Sequence, residues 1–225
     1  MTESLRLTAS DGHEFGAILA RPAGAPKGGI VVLQEIFGVN EHIRSVCTKF
    51  AAEGYVALAP ALFDRFLPNF ESGYSPEEVQ VALGYMKSLD WEKLVLDSRA
   101  AVERLKEEDL PVSIVGFCLG GSLAFDMATR FDDLDCIVSY YGGRIAGFAD
   151  KKPNCPILLH YGETDASIPL SSVEEVRAKQ PQAEIHLYPA GHGFNRGAPG
   201  TADGEQAAIA WKRTIEFLEK TRNSN

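Results

Sequence analysis

Positive charge is scarce in this chain. Its 22 lysines and arginines face 31 aspartates and glutamates, for a formal net charge of −9. Such a surface offers no diffuse cationic field to a polyphosphate or an acidic membrane, so neither nucleic acid nor membrane is expected as a partner. No run approaches the roughly 18 apolar residues that a transmembrane helix needs. The opening "MTESLRLTAS" lacks the basic-then-apolar order of a secretory signal. These absences point to a soluble cytoplasmic protein. Cysteine is sparse too: Cys47, Cys118, Cys136 and Cys155 lie far apart without a C-x-x-C pair. That spacing speaks against a zinc site, a dithiol redox motif and a disulfide framework. No internal repeat or low-complexity segment is present. At 225 residues the chain suits one large domain, expected over 1–225.

What the chain does have is alternation. "LRLTA" and "EFGAILA" flank "SDGH", whose Asp-Gly pair favours a β-hairpin turn. Short continuous apolar runs follow at 30–34, 55–60, 112–117, 136–142, 156–162 and 184–190, the signature of strands buried on both faces of a parallel sheet. Helical patterns fill 41–53, 75–106, 119–131, 170–179 and 203–221. "SPEE" reads as a helix start, with Ser75 as N-cap and Pro76 in the first turn. The pattern predicts an α/β class: a mostly parallel, doubly wound sheet with an N-terminal antiparallel hairpin and helices on both faces. The insertion "ALFDRFLPNFESGY" after the second parallel strand is rich in aromatics and is expected to cover a pocket as a flap.

Chemistry in such sheets gathers at the carboxyl ends of the strands. There "GFCLG" forms a G-x-C-x-G pentapeptide between a strand and a helix, the form of a nucleophile elbow with cysteine where serine is usual. Flanking glycines let the helix pack against the strand across a strained turn. Cys118 would stand at a helix N-terminus, where the dipole and free N–H groups favour thiolate. A buried structural cysteine is the plain alternative, and it is the expectation for Cys47, Cys136 and Cys155. Later strand ends carry "HYGETDASIP" and "YPAGHGFN", which supply Asp165 and His192 in the order acid then histidine. Glu163 competes with Asp165 for the acid's place, and Asp165 could serve only as a turn or cap carboxylate. His192, between Gly191 and Gly193, could be no more than an exposed loop residue. Backbone N–H groups of Ile36 and Leu119 are the candidate oxyanion donors. Glu35 is an unusual carboxylate at the end of a buried strand, either facing the nucleophile region, solvated, or partnered with Asn40 and Arg44. His42, early in the next helix, is a weaker candidate near the oxyanion loop.

With "QEIFGVN", "GFCLGG" and "AGHGF" together, the chain resembles the dienelactone hydrolase family of the α/β-hydrolase superfamily over nearly its full length. The resemblance implies Cys118 as nucleophile, His192 as base and Asp165 as orienting carboxylate, with Glu35 helping to convert the thiol to thiolate once substrate is bound. It also implies arginines that bind the substrate's carboxylate. Arg196 in "HGFNR" matches one of them. The other would come from the region after the second parallel strand, yet residues 66–98 hold no arginine. Arg144 in "YYGGRI" is the candidate replacement, if it is not an ordinary surface arginine. The expected activity is hydrolysis of a small lactone or enol ester through an acyl-enzyme, needing no metal or organic cofactor. A general carboxylesterase or thioesterase is the alternative, and a non-catalytic ligand-binding or redox-sensing protein a third reading. The partner is a small-molecule ester or lactone; the sequence does not define an oligomeric state, and a monomer is compatible with it.

Overall fold

The computed structural model describes residues 2–223, so Met1, Ser224 and Asn225, which the 1–225 domain includes, lie outside the described residues. The chain divides into two compact units, the first ending at Val112 and the second starting at Ser113.

In the first unit, β1 (Thr2–Thr8) and β2 (Glu14–Ala20) form the expected antiparallel hairpin. The Ala9 N–H donates to His13 O at 2.9 Å across a turn whose Gly12 sits at φ 84°, open to a residue without Cβ. Strand β2 pairs antiparallel with β4 (Val56–Pro60), which pairs parallel with β3 (Gly29–Leu33). Every residue of β3 and β4 is buried, which explains their unbroken apolar runs. Between them α1 (Glu41–Ala52) buries Ile43, Val46, Cys47 and Phe50, a stripe at helical spacing. Asn40 caps it, its Oδ1 accepting the Ile43 N–H at 3.3 Å.

The pattern read as one helix over 75–106 is three pieces: α2 (Pro76–Tyr85), a 3-10 turn (Met86–Ser88) and α3 (Trp91–Lys106). The break follows from Asp90, whose side chain accepts from Glu92 N–H at 3.1 Å and Lys93 N–H at 3.3 Å and so starts a new helix. Ser75 caps α2 as expected, in a reciprocal box with Glu78. The 61–74 insertion is anchored at Arg65, which bonds Asp97 at 2.8 and 2.7 Å and Asp11 at 3.0 Å.

In the second unit β5 (Val112–Phe117, of which Val112 closes the first unit), β6 (Ile137–Tyr140), β7 (Ile157–Gly162) and β8 (Glu184–Tyr188) pair parallel in that order. The helices α4 (Leu119–Arg130), α6 (Leu170–Lys179) and α7 (Ala202–Arg222) fall where the periodicity put them. A four-residue helix, α5 (Ile145–Phe148), is too short to leave a periodic trace. Strand β8 is mostly half-buried, as the outermost of its set, and not covered on both faces like β5 to β7. Among the described residues the antiparallel ladders are β1 with β2 and β2 with β4, and the other named strand pairs are parallel, so the predominantly parallel α/β class holds. Among the described residues no helix is long and apolar enough to cross a membrane.

Candidate active site

Strand β5 ends at Phe117 and α4 begins at Leu119, leaving Cys118 alone to reverse the chain. Its backbone stands at φ 53° and ψ −109°, a conformation costing a residue with a Cβ about 1–3 kcal/mol. Cys118 N–H donates to Tyr140 O at 2.9 Å, and Cys118 O accepts the Ser122 N–H at 3.1 Å, so β6 and α4 hold the turn from both sides. A Cβ at Gly116 would collide with the Gly120 carbonyl, and one at Gly121 would come within 2.8 Å of Tyr140 O. The glycines are therefore required by the close approach of α4 to β5 and β6. Cys118 is half-buried, with access that a core cysteine lacks, and Leu119 follows as the first residue of α4, where amides have no intrahelical acceptor.

Asp165 lies in the loop after β7 and His192 in the loop after β8. His192 Nδ1–H donates to Asp165 Oδ2 at 2.7 Å, and the Ser167 N–H donates to the acid's other oxygen at 2.8 Å. The Asp165 side chain is fully buried, whereas Glu163 is exposed, which resolves the choice between the two acids. The imidazole also hydrogen-bonds Cys118. Burial opposes charge on His192, but Asp165 and Cys118 outweigh it and raise its pKa from 6.5 to about 10. Cys118, His192 and Asp165 thus form one hydrogen-bonded line within the second unit.

The other thiols differ. Burial pushes Cys47 and Cys155 up to about 12 and Cys136 to about 11, keeping them protonated. Cys47 and Cys136 are buried as expected; Cys155 is half-buried. His160 is buried between the Tyr188 hydroxyl at 2.8 Å and Thr214 Oγ1 at 3.1 Å, and burial holds its pKa well below 6.5.

Arg196 sits on a 3-10 turn (Phe194–Arg196) four residues past His192, half-buried, its Nε donating to Gly193 O at 3.1 Å. Arg144 is exposed at the start of α5, where its N–H donates to Ser122 Oγ at 3.0 Å.

In the first unit Glu35 follows β3 and is only 1% exposed, so it is no solvated loop acid. The Tyr74 hydroxyl donates to its Oε2 at 3.1 Å. Arg44 instead forks onto Glu71, with both bonds at 2.6 Å. Ile36 is buried beside it, and His42 is half-buried, its carbonyl accepting the Ser45 hydroxyl. Two residues escaped sequence reasoning. Tyr74 ends the insertion, where an aromatic among aromatics gives no chemical signal. Tyr141 holds φ 42° at the end of β6 with its ring 5.0 Å from His192, and "SYYG" alone reads as core.

Parallel strands, a strained strand-to-helix turn bearing a thiol, and an acid and a histidine after later strands define an α/β-hydrolase. The chain belongs to the dienelactone hydrolase family, whose model matches residues 15–222. It is 34% identical to a carboxymethylenebutenolidase of Pseudomonas putida, covering 97% of this chain and 96% of that protein. A carboxymethylenebutenolidase of Cupriavidus pinatubonensis is 32% identical, with 97% of each chain covered. Among solved structures, a candidate dienelactone hydrolase of Klebsiella pneumoniae superposes with a TM-score of 0.83 at 28% identity, covering 97% of this chain and 99% of that one.

Proposed function

We propose that this carboxylic ester hydrolase cleaves a small lactone or enol ester by way of a thioester on Cys118. The observation carrying the reading is His192, bound to Asp165 on one side and Cys118 on the other, beside a thiol held at a strained turn. The relatives named as carboxymethylenebutenolidases support the substrate class. The family model spans both units, which supports reading the chain as one domain.

In this reading the Cys118 thiolate attacks the carbonyl carbon, and the negative oxygen that forms is bound by the N–H groups of Leu119 and Ile36. His192, a cation in the resting line, gives its proton to the departing alkoxide or enolate. Having given up that proton, neutral His192 can then take one from water as water attacks the thioester. Glu35 assists formation of the thiolate. A thiolate is itself a good leaving group, so collapse of the first intermediate goes forward only where the other group also leaves easily, as in enol-lactones and activated esters. Replacing Cys118 by Ala should abolish turnover of lactones and p-nitrophenyl esters with the fold intact. Hydrolysis retained in that variant would sink the reading.

A second reading, a general carboxylesterase or thioesterase, is favoured by the lack of arginine over 66–98. Arg65, one residue earlier, is committed to Asp11 and Asp97. The two readings part on a paired panel of esters with and without a free carboxylate. A lactone hydrolase of the carboxylate-binding type prefers the charged member, and Arg196→Ala or Arg144→Ala should raise its KM about ten-fold. Equal rates on both members select the second reading.

A further inference from the structure

Tyr74 has no place in the triad, yet its hydroxyl is bonded to a buried carboxylate. The direction of that bond is set by Asn40. Because Asn40 Oδ1 accepts the Ile43 N–H at 3.3 Å, its amide cannot flip without turning an NH₂ toward that donor. Asn40 Nδ2 therefore donates, to Ser72 O at 3.0 Å and to the Tyr74 oxygen at 3.0 Å. With its oxygen accepting from Asn40, the tyrosine directs its single proton to Glu35 Oε2, 3.1 Å away. The surrounding chain is tied to the same place. Ser72 N–H donates to Phe37 O at 3.0 Å, the Tyr74 ring meets Phe37 edge-on at 4.7 Å, and Arg44 holds Glu71. The end of the insertion is thus fastened onto the loop that begins with Glu35 and Ile36.

We propose that Tyr74 is a positioning residue for Glu35, its hydroxyl fixing which way the buried carboxylate faces. The proposal rests on the reading that Glu35 assists thiolate formation. A hydrogen bond from a tyrosine hydroxyl to a buried carboxylate oxygen favours one carboxylate rotamer over the others. Tyr74 is 37% exposed, so removing its oxygen alone leaves packing in place.

The test is steady-state hydrolysis of p-nitrophenyl acetate by wild type, Tyr74→Phe, Glu35→Gln, the double variant and Cys118→Ala, with melting curves for each. Tyr74→Phe should lower kcat about ten-fold with KM unchanged and melting within a few degrees of wild type. The double variant should be no slower than Glu35→Gln, because Tyr74 acts only through that acid. Multiplying effects in the double variant, or a wild-type rate in Tyr74→Phe beside an impaired Glu35→Gln, overturns the proposal. Full activity in Glu35→Gln with none in Cys118→Ala overturns it as well while leaving the thiol mechanism standing. Activity in Cys118→Ala overturns both.

Discussion

His192 links the candidate site to pH. Its folded pKa, about 10, lies above the ordinary 6.5 because the attraction of Asp165 and Cys118 exceeds the penalty of burial. A group with a raised folded pKa contributes stability that is fully present below its unfolded value and is lost as pH rises through its folded value. The unfolding free energy should therefore decline between about pH 6.5 and pH 10. In Asp165→Asn that decline should be shallower, and kcat should drop about 10³–10⁴-fold because the tautomer is no longer fixed. Urea denaturation at several pH values, run on both proteins, checks the slope; identical slopes would remove Asp165 from the line. That three residues of this line were legible beforehand has a simple cause. Thiol, acid and histidine each sit next to a strand end, and strand ends are marked by where apolar runs stop. Choosing Asp165 over Glu163 was a matter of two positions in one loop, decided only by which side chain is buried.

At the scale of elements, the elbow depends on helix α4 lying almost in contact with β5. Gly116→Ala would force a methyl group into the Gly120 carbonyl, and Gly121 N lies 2.7 Å from the same point. Backbone has no rotamer to yield, so a loss of about 2–4 kcal/mol is expected, at or above the usual cost of overpacking. Urea midpoints measure it, and a change under about 0.5 kcal/mol would mean that the helix can shift away. The same scale explains the misread region 75–106. Helical periodicity persists through a 3-10 turn, so the pattern runs on while Asp90 ends one helix and starts another. Helix α5 and the details of the 61–74 insertion were hidden for another reason. Four residues are too few for a periodic trace, and the insertion is held by tertiary bonds, such as Arg65 to Asp11 and Asp97, that leave no local signal.

For the molecule as a whole, a charge of −9 acts on any anionic substrate before contact. If the substrate bears a carboxylate, approach is opposed by the protein's own field, and salt should relieve that opposition. Raising ionic strength from about 10 to 150 mM should increase kcat/KM for a carboxylate-bearing ester and leave its neutral analogue nearly unchanged. A decrease for the charged ester would instead indicate that local cations, with Arg196 first among them, dominate its capture.

By itself the sequence determined the α/β class and the succession of its main strands, and it offered Cys118, His192 and the pair Asp165 and Glu163 as candidates. Burial on both faces writes itself into composition, and tight turns write themselves into glycine. Tertiary structure alone decided that Asp165 and not Glu163 meets His192, that Glu35 is buried under a tyrosine hydroxyl, and that Arg65 is consumed by two aspartates. Those outcomes depend on the direction of side chains brought together from distant loops. A sequence records which groups are available, but only the folded chain sets the distances between them, and hydrogen bonds form or fail within a few tenths of an ångström.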